Sequence, residues 1–181
     1  MKISSLFIFL LPFLLLAVTP PEGWQFPKDS KFNNKWIHSN HMKYLLAVGD
    51  FNGDNINDTA VILESIDENE FGIFVYLNGT KEIYDIYNSK TDTILNSFRN
   101  EARKYKQVIN SYKATYGIES IKIGKYTTAC GKGFYDCEKG EPEEIILKHN
   151  AISFFQFDAG GTRYYYFNNK LNKFVNYFID D

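Results

Sequence analysis

Residues 49–63 read Gly-Asp-Phe-Asn-Gly-Asp-Asn-Ile-Asn-Asp-Thr-Ala-Val-Ile-Leu, "GDFNGDNINDTAVIL". Acidic or amide side chains fall at Asp50, Asn52, Asp54 and Asp58, between the apolar runs Tyr44–Gly49 and Thr59–Ser65. Short runs rich in β-branched and aromatic residues, bounded by Asn, Asp and Gly, predict strands joined by a turn. The stretch therefore predicts a strand–acidic loop–strand unit.

Working outward, Phe71–Leu77 and Lys81–Tyr87 read as a second hairpin around Asn78-Gly79, a strong two-residue turn signal. Residues 91–114 change period. Ile94, Leu95, Phe98, Ala102, Tyr105, Val108, Ile109 and Tyr112 recur at threes and fours, which predicts an amphipathic helix. Strand patterning returns at Ile118–Tyr126, Glu144–Lys148, Ala151–Phe157, Thr162–Phe167 and Phe174–Ile179. Along 162–167 the aromatics fall on both faces, so something must cover each side of that sheet. The expected fold class is α+β: an antiparallel β-rich domain over residues 43–181, with one main amphipathic helix packed on the sheet.

The chain has 181 residues, 44% of them hydrophobic and 17% aromatic, with a formal charge of −2. This length suits one domain with a real core. The balanced charge argues against a nucleic-acid partner, which would favour a concentrated basic surface. At the N-terminus Lys2 precedes an apolar run over 3–18, followed by Thr19-Pro20-Pro21. A charged start and a run short of the ~20 residues a span needs are the marks of a secretory signal. Residues 1–19 are expected to be a signal peptide and 20–42 an N-terminal arm lying on the domain. The chain is then periplasmic or secreted, with no stable membrane span in its mature form. Cys130 and Cys137, in a Gly-rich segment, are expected to pair as a local disulfide in an oxidising compartment.

The acidic loop has the donor chemistry of a calcium site. Calcium takes several hard oxygen ligands from carboxylates, amides and backbone carbonyls. Asp50, Asn52 and Asp54 alternate, the carbonyl of Ile56 follows, and Asp58 completes the set. Three carboxylates this close favour a cation between them. An EF-hand is excluded, because Val61 stands where that loop requires its bidentate acid and the flanks are strands. The stretch instead resembles the FG-GAP type of calcium loop, departing from it at Asn55, where that pattern usually has Gly. The resemblance spans about 15 residues and occurs once, so the multi-bladed propeller that usually carries such loops is not implied. "GKYTTACGKGFYDCEKGEPEE" (124–144) and "ISFFQFDAGGTRYYYF" (152–167) resemble a group of small exported bacterial proteins with one such loop and no assigned activity. That resemblance implies export and a single domain, without a mechanism.

Enzyme signatures are weak. His38 and His41 have no third ligand nearby, and His149 sits in a turn. No nucleophile elbow or Gly-rich phosphate loop occurs. Glu138, Glu141, Glu143 and Glu144 cluster around Pro142, and carboxylate pairs can run glycoside hydrolysis only across a fixed cleft separation. The expectation is an exported, non-enzymatic calcium-binding interaction domain of inhibitor or immunity type, whose partner is another protein of the cell envelope. The alternative is a small cell-envelope hydrolase that uses cleft carboxylates beside a structural calcium.

Overall fold

The structure is a computed structural model that describes residues 18–27, 44–66, 70–80, 82–89, 91, 116–156 and 162–179. The apolar alternation resolves into strands β1 (Trp24–Gln25), β2 (Leu46–Gly49), β3 (Asp58–Ser65), β4 (Phe71–Leu77), β5 (Glu82–Asn88), β6 (Tyr116–Ile121), β7 (Gly124–Thr127), β8 (Glu144–Leu147), β9 (Ala151–Gln156), β10 (Thr162–Asn168) and β11 (Lys173–Ile179).

Every pairing is antiparallel. In the first sheet β4 joins β3 to β5, while β1 and β2 share the other edge of β3 end to end. Leu46–Gly49 run against Val61–Asp58, and Trp24 and Gln25 against Ser65 and Glu64. The second sheet has the order β11-β10-β9-β6, and β7 and β8 form a separate ribbon.

The core lies between the two sheets. Ala60, Ile62, Phe71, Ile73, Val75 and Leu77 from the first meet Ile118, Ile152, Phe154, Tyr165 and Phe167 from the second. Phe71 is at its centre. Its ring stacks on Tyr116 at 5.1 Å and lies 5.3 Å from Tyr87 and 6.1 Å from Phe154. Burying each such side chain stabilises the fold by roughly 1.5–3 kcal/mol, with aromatic pairs adding about 0.5–1.5 kcal/mol.

Because strand side chains alternate, the outward residues need a second cover, and both sheets have one. On the first sheet Val61, Leu63 and Phe74 pack with Val18, Trp24 and Phe26 from the beginning of the chain. Trp24 meets Phe74 edge-on at 4.8 Å, and the Tyr76 hydroxyl donates to the Thr19 carbonyl at 3.0 Å. On the second sheet the ribbon covers Tyr164 and Ile179 with Tyr126, Ile145 and Leu147. The two-faced aromatic pattern of 162–167 follows from this: Tyr165 and Phe167 face the core, Tyr164 and Tyr166 the ribbon side.

This corrects the α+β assignment. The expected helix over 91–114 falls outside the described residues apart from Thr91, and among the described residues there is no helix. The described fold is an all-β sandwich. Its physical reason is the cover just described: on each sheet the apolar outward residues are met by strands or the N-terminal segment, where the sequence reading assigned that role to a helix. Helical spacing is a local pattern, and it does not determine what covers a sheet. A second correction is local. The single strand expected over 118–126 divides at 122–123, so that β6 joins the second sheet and β7 the ribbon.

Candidate functional site

The acidic loop, residues 50–57, caps the hairpin of β2 and β3, which closes at the Gly49–Asp58 pair. The loop is organised by its own carboxylates. Asp50 accepts from the N–H groups of Gly53 (2.7 Å) and Asp54 (3.1 Å) through Oδ1, and from Asn55 (2.9 Å) through Oδ2. Asn52 accepts from the Asp54 N–H at 3.0 Å through Oδ1, and its amide donates to Asp54 Oδ2 at 3.0 Å. Asp54 Oδ1 accepts from the Ile56 N–H at 2.8 Å. Turning the backbone amides inward requires left-handed residues, supplied by Gly53 (φ 85°) and Asn55 (φ 66°). Asn is among the non-glycine residues that best tolerate that region, so Asn55 meets the need of the turn where a Gly was expected.

Asp58 is placed differently. It is fully buried, and its oxygens accept from the N–H of Phe51 at 2.9 Å and of Asn78 at 3.0 Å. Asn78 in turn donates through its side-chain amide to the Asn57 carbonyl. One carboxylate thus pins the acidic loop to the β4–β5 turn. Burial pushes its carboxyl above the ordinary range; the Phe51 and Asn78 amides oppose this, and the charges of Asp54 and Asp50 add to it. The structure therefore brings Asp50, Asn52 and Asp54 into one network that Ile56 enters through its N–H, and turns Asp58 inward beneath it. Among the described residues no group of three or more His, Cys, Asp and Glu side chains is clustered to hold a metal ion.

Sequence reasoning missed Asn150. It accepts from the Asp50 N–H at 3.3 Å, its own N–H donates to the Asp50 carbonyl at 3.0 Å, and its amide reaches the Ile121 carbonyl at 3.2 Å. The loop is thereby tied to the second sheet. Lys148-His149-Asn150 reads as an ordinary turn, and no local signal marks its long-range partner.

The disulfide is formed. Cys130 and Cys137 are bonded, with Cα atoms 5.0 Å apart. Their loop is seated by Thr128, whose hydroxyl donates to the Pro142 carbonyl at 2.8 Å and accepts from the Gly131 N–H at 3.1 Å. Gly131 lies so close to Glu143 that an added Cβ would stand 2.1 Å from the Glu143 carbonyl oxygen. The acidic cluster that follows is dispersed. Glu141 accepts from the Tyr135 hydroxyl at 2.7 Å and the Glu138 N–H at 3.2 Å, whereas Glu144 pairs with Lys125 at 2.7 Å. His38 and His41 lie outside the described residues, and the His149 ring edge lies beside Gly53. An open groove of about 670 Å³ runs between the disulfide loop and β11.

Among the described residues no helix is long and apolar enough to cross a membrane. Comparison with protein-family models, with curated proteins and with solved structures finds no match to this chain.

Proposed function

We propose that this is an exported calcium-binding interaction domain of inhibitor or immunity type, which acts by docking on another protein of the cell envelope. The observation that carries the calcium reading is the convergence of Asp50, Asn52 and Asp54 on one loop whose amides already hold their oxygens in place. Asp50 Oδ1 already accepts from two N–H groups, whereas Asp50 Oδ2, Asn52 Oδ1 and both Asp54 oxygens accept one bond each and keep a second lone pair, so these bonds organise the donors without exhausting them. The donor set is wholly oxygen, which suits calcium over softer metals. The Ile56 carbonyl and the buried Asp58 would complete it, Asp58 while also holding the hairpin. Export is supported by the Cys130–Cys137 bond, since disulfides persist in oxidising compartments. The hydrolase alternative has less support: Glu138 and Glu141 share one groove, but Glu141 is held by the Tyr135 hydroxyl and the Glu138 N–H, and Glu144 pairs apart with Lys125.

Titration calorimetry on residues 18–181 tests the calcium reading. Binding is expected in the extracellular range of about 10⁻⁴–10⁻³ M, and Asp50→Ala or Asp54→Ala should remove it. No heat and no rise in melting temperature at millimolar calcium would refute it.

A further inference from the structure

Three consecutive residues of β11, Asn176, Tyr177 and Phe178, line the groove beside the disulfide loop. Strand side chains alternate between faces, so a groove on one face would meet every second residue. A groove that meets three in a row wraps the strand's edge, here reaching Arg163 of β10 as well, and among the described residues β11 is the last strand of its sheet.

The backbone there has a defined orientation. The Phe178 carbonyl accepts from the Ala129 N–H at 2.8 Å, so it points away from β10. In an antiparallel ladder, residues alternate between those that exchange hydrogen bonds with the neighbour and those that do not. Phe178 pairs with Arg163 in the non-bonded class; Tyr177, opposite Tyr164, bonds to β10; and Asn176, opposite Tyr165, is again non-bonded. The N–H and C=O of Asn176 therefore both point away from β10, at a residue that lines the groove.

The facing wall is the segment from Tyr135 to Glu141. The disulfide ties Cys137 of this segment to Cys130, and the Tyr135–Glu141 hydrogen bond braces it. Tyr135 and Phe178 are both exposed, offering an apolar surface beside the backbone groups. The charged side chains on the lining are balanced, Glu138 and Glu141 against Lys139 and Arg163.

We infer that this groove receives an extended peptide segment of a partner protein, which adds to the sheet as a strand beside β11. Outward backbone donors and acceptors match another backbone, and a free edge is the usual place for such addition. The aromatic wall takes an apolar side chain of the incoming segment, and the balanced charges require no particular net charge from it. The Ala129 contact at Phe178 stops the added strand at one end, so the segment is short. The inference rests on the interaction-domain reading and gives that reading a docking surface.

The test pans phage-displayed random linear dodecapeptides against the full chain with its disulfide intact, then measures the enriched sequences as synthetic peptides. Asn176→Pro removes the outward donor without touching the β10 ladder, and an edge strand tolerates proline. The expected result is binding weakened at least about tenfold (about 1.4 kcal/mol) in Asn176→Pro and in Tyr135→Ala. Binding should be unchanged in Ile83→Ser on exposed β5. In the unsubstituted chain the peptide should slow hydrogen exchange at the Asn176 amide by at least about tenfold, a readout independent of how the variants fold. Peptides that leave Asn176 exchange unaltered and bind Asn176→Pro normally would overturn the edge site while leaving an interaction domain that docks elsewhere. Failure to enrich any binding peptide overturns the edge site too, as does protection of Asn176 by chitohexaose alone, which would make the groove a saccharide site. The calcium titration stays separate from all of these.

Discussion

Asp58→Ala, studied in the absence of calcium, isolates the role of the inward carboxylate. The substitution removes the acceptor of two backbone donors, Phe51 at 2.9 Å and Asn78 at 3.0 Å. The Phe51 bond is buried, and a hydrogen bond to a charged group contributes about 1.5–3 kcal/mol. Asn78 is exposed, so water can replace part of its bond, which limits that loss to about 0.5–1.5 kcal/mol. Relief from burying a carboxylate offsets some of this. The net loss expected is about 1–4 kcal/mol, a large share of the ~5–15 kcal/mol that holds a domain together. Urea unfolding of residues 18–181 with EGTA measures it as a lower midpoint at unchanged slope. Hydrogen exchange should quicken at the Phe51 amide before it does across the core. The milder substitution Asp58→Asn leaves one carbonyl oxygen, which can accept from only one of the two donors, and its stability should fall between alanine and the unsubstituted chain. A loss below about 1 kcal/mol for alanine, with Phe51 protection intact, would refute the view that this carboxylate pins the hairpin.

Gly131→Ala should cost more than about 3 kcal/mol or prevent folding, because the new Cβ would stand 2.1 Å from the Glu143 carbonyl oxygen and both groups are backbone-anchored; the urea midpoint reads it, and a change within about 0.5 kcal/mol would count against the close approach. The Tyr84 hydroxyl donates to Glu82 at 2.7 Å, and that bond, followed by burial and the Glu82 charge, pushes the phenol up to about 12. Its folded value lies above its unfolded one, so the stability it contributes is whole below about pH 10 and is lost as pH rises through about 12. Burial also raises Tyr76 and Tyr166, and the bond to Glu141 raises Tyr135, so ultraviolet titration should show several late-ionising tyrosines, one of which Glu82→Gln returns toward 10.

Much of the strand pattern was legible because its causes are local. Asn78-Gly79 marked the turn between β4 and β5, the Asn and Gly residues of 52–55 marked the first hairpin, and Cys130 and Cys137 were close enough to pair. What escaped depends on residues far apart in the chain. β6 pairs with β9, joining Tyr116 to Gln156, and nothing in either segment names the other. β1 is two residues long and takes its place from the open end of β3, since no propensity of its own could form it. In the candidate site the alternation of Asp50, Asn52 and Asp54 was visible, whereas the inward turn of Asp58 was not. That turn depends on Asn78, reached only when β4 folds back beside β3. The α+β assignment failed for the same reason: it gave a helix the cover that, among the described residues, the sheets take from the ribbon and the N-terminal segment.

β3 has a consequence for the chain before it folds. Thr59-Ala60-Val61-Ile62-Leu63 is uncharged, free of proline and rich in strand formers, the composition of segments that self-stack into fibrils. Asp58 and Glu64 bracket it, and both are fully buried in the native sandwich despite their charge. In an unfolded chain these two carboxylates lie in water at either end of the segment and oppose its stacking on copies of itself. The side chain that ties the hairpin together after folding thus helps guard the same strand against aggregation beforehand, and Asp58→Ala removes the tie together with one of the two guards, leaving Glu64 alone.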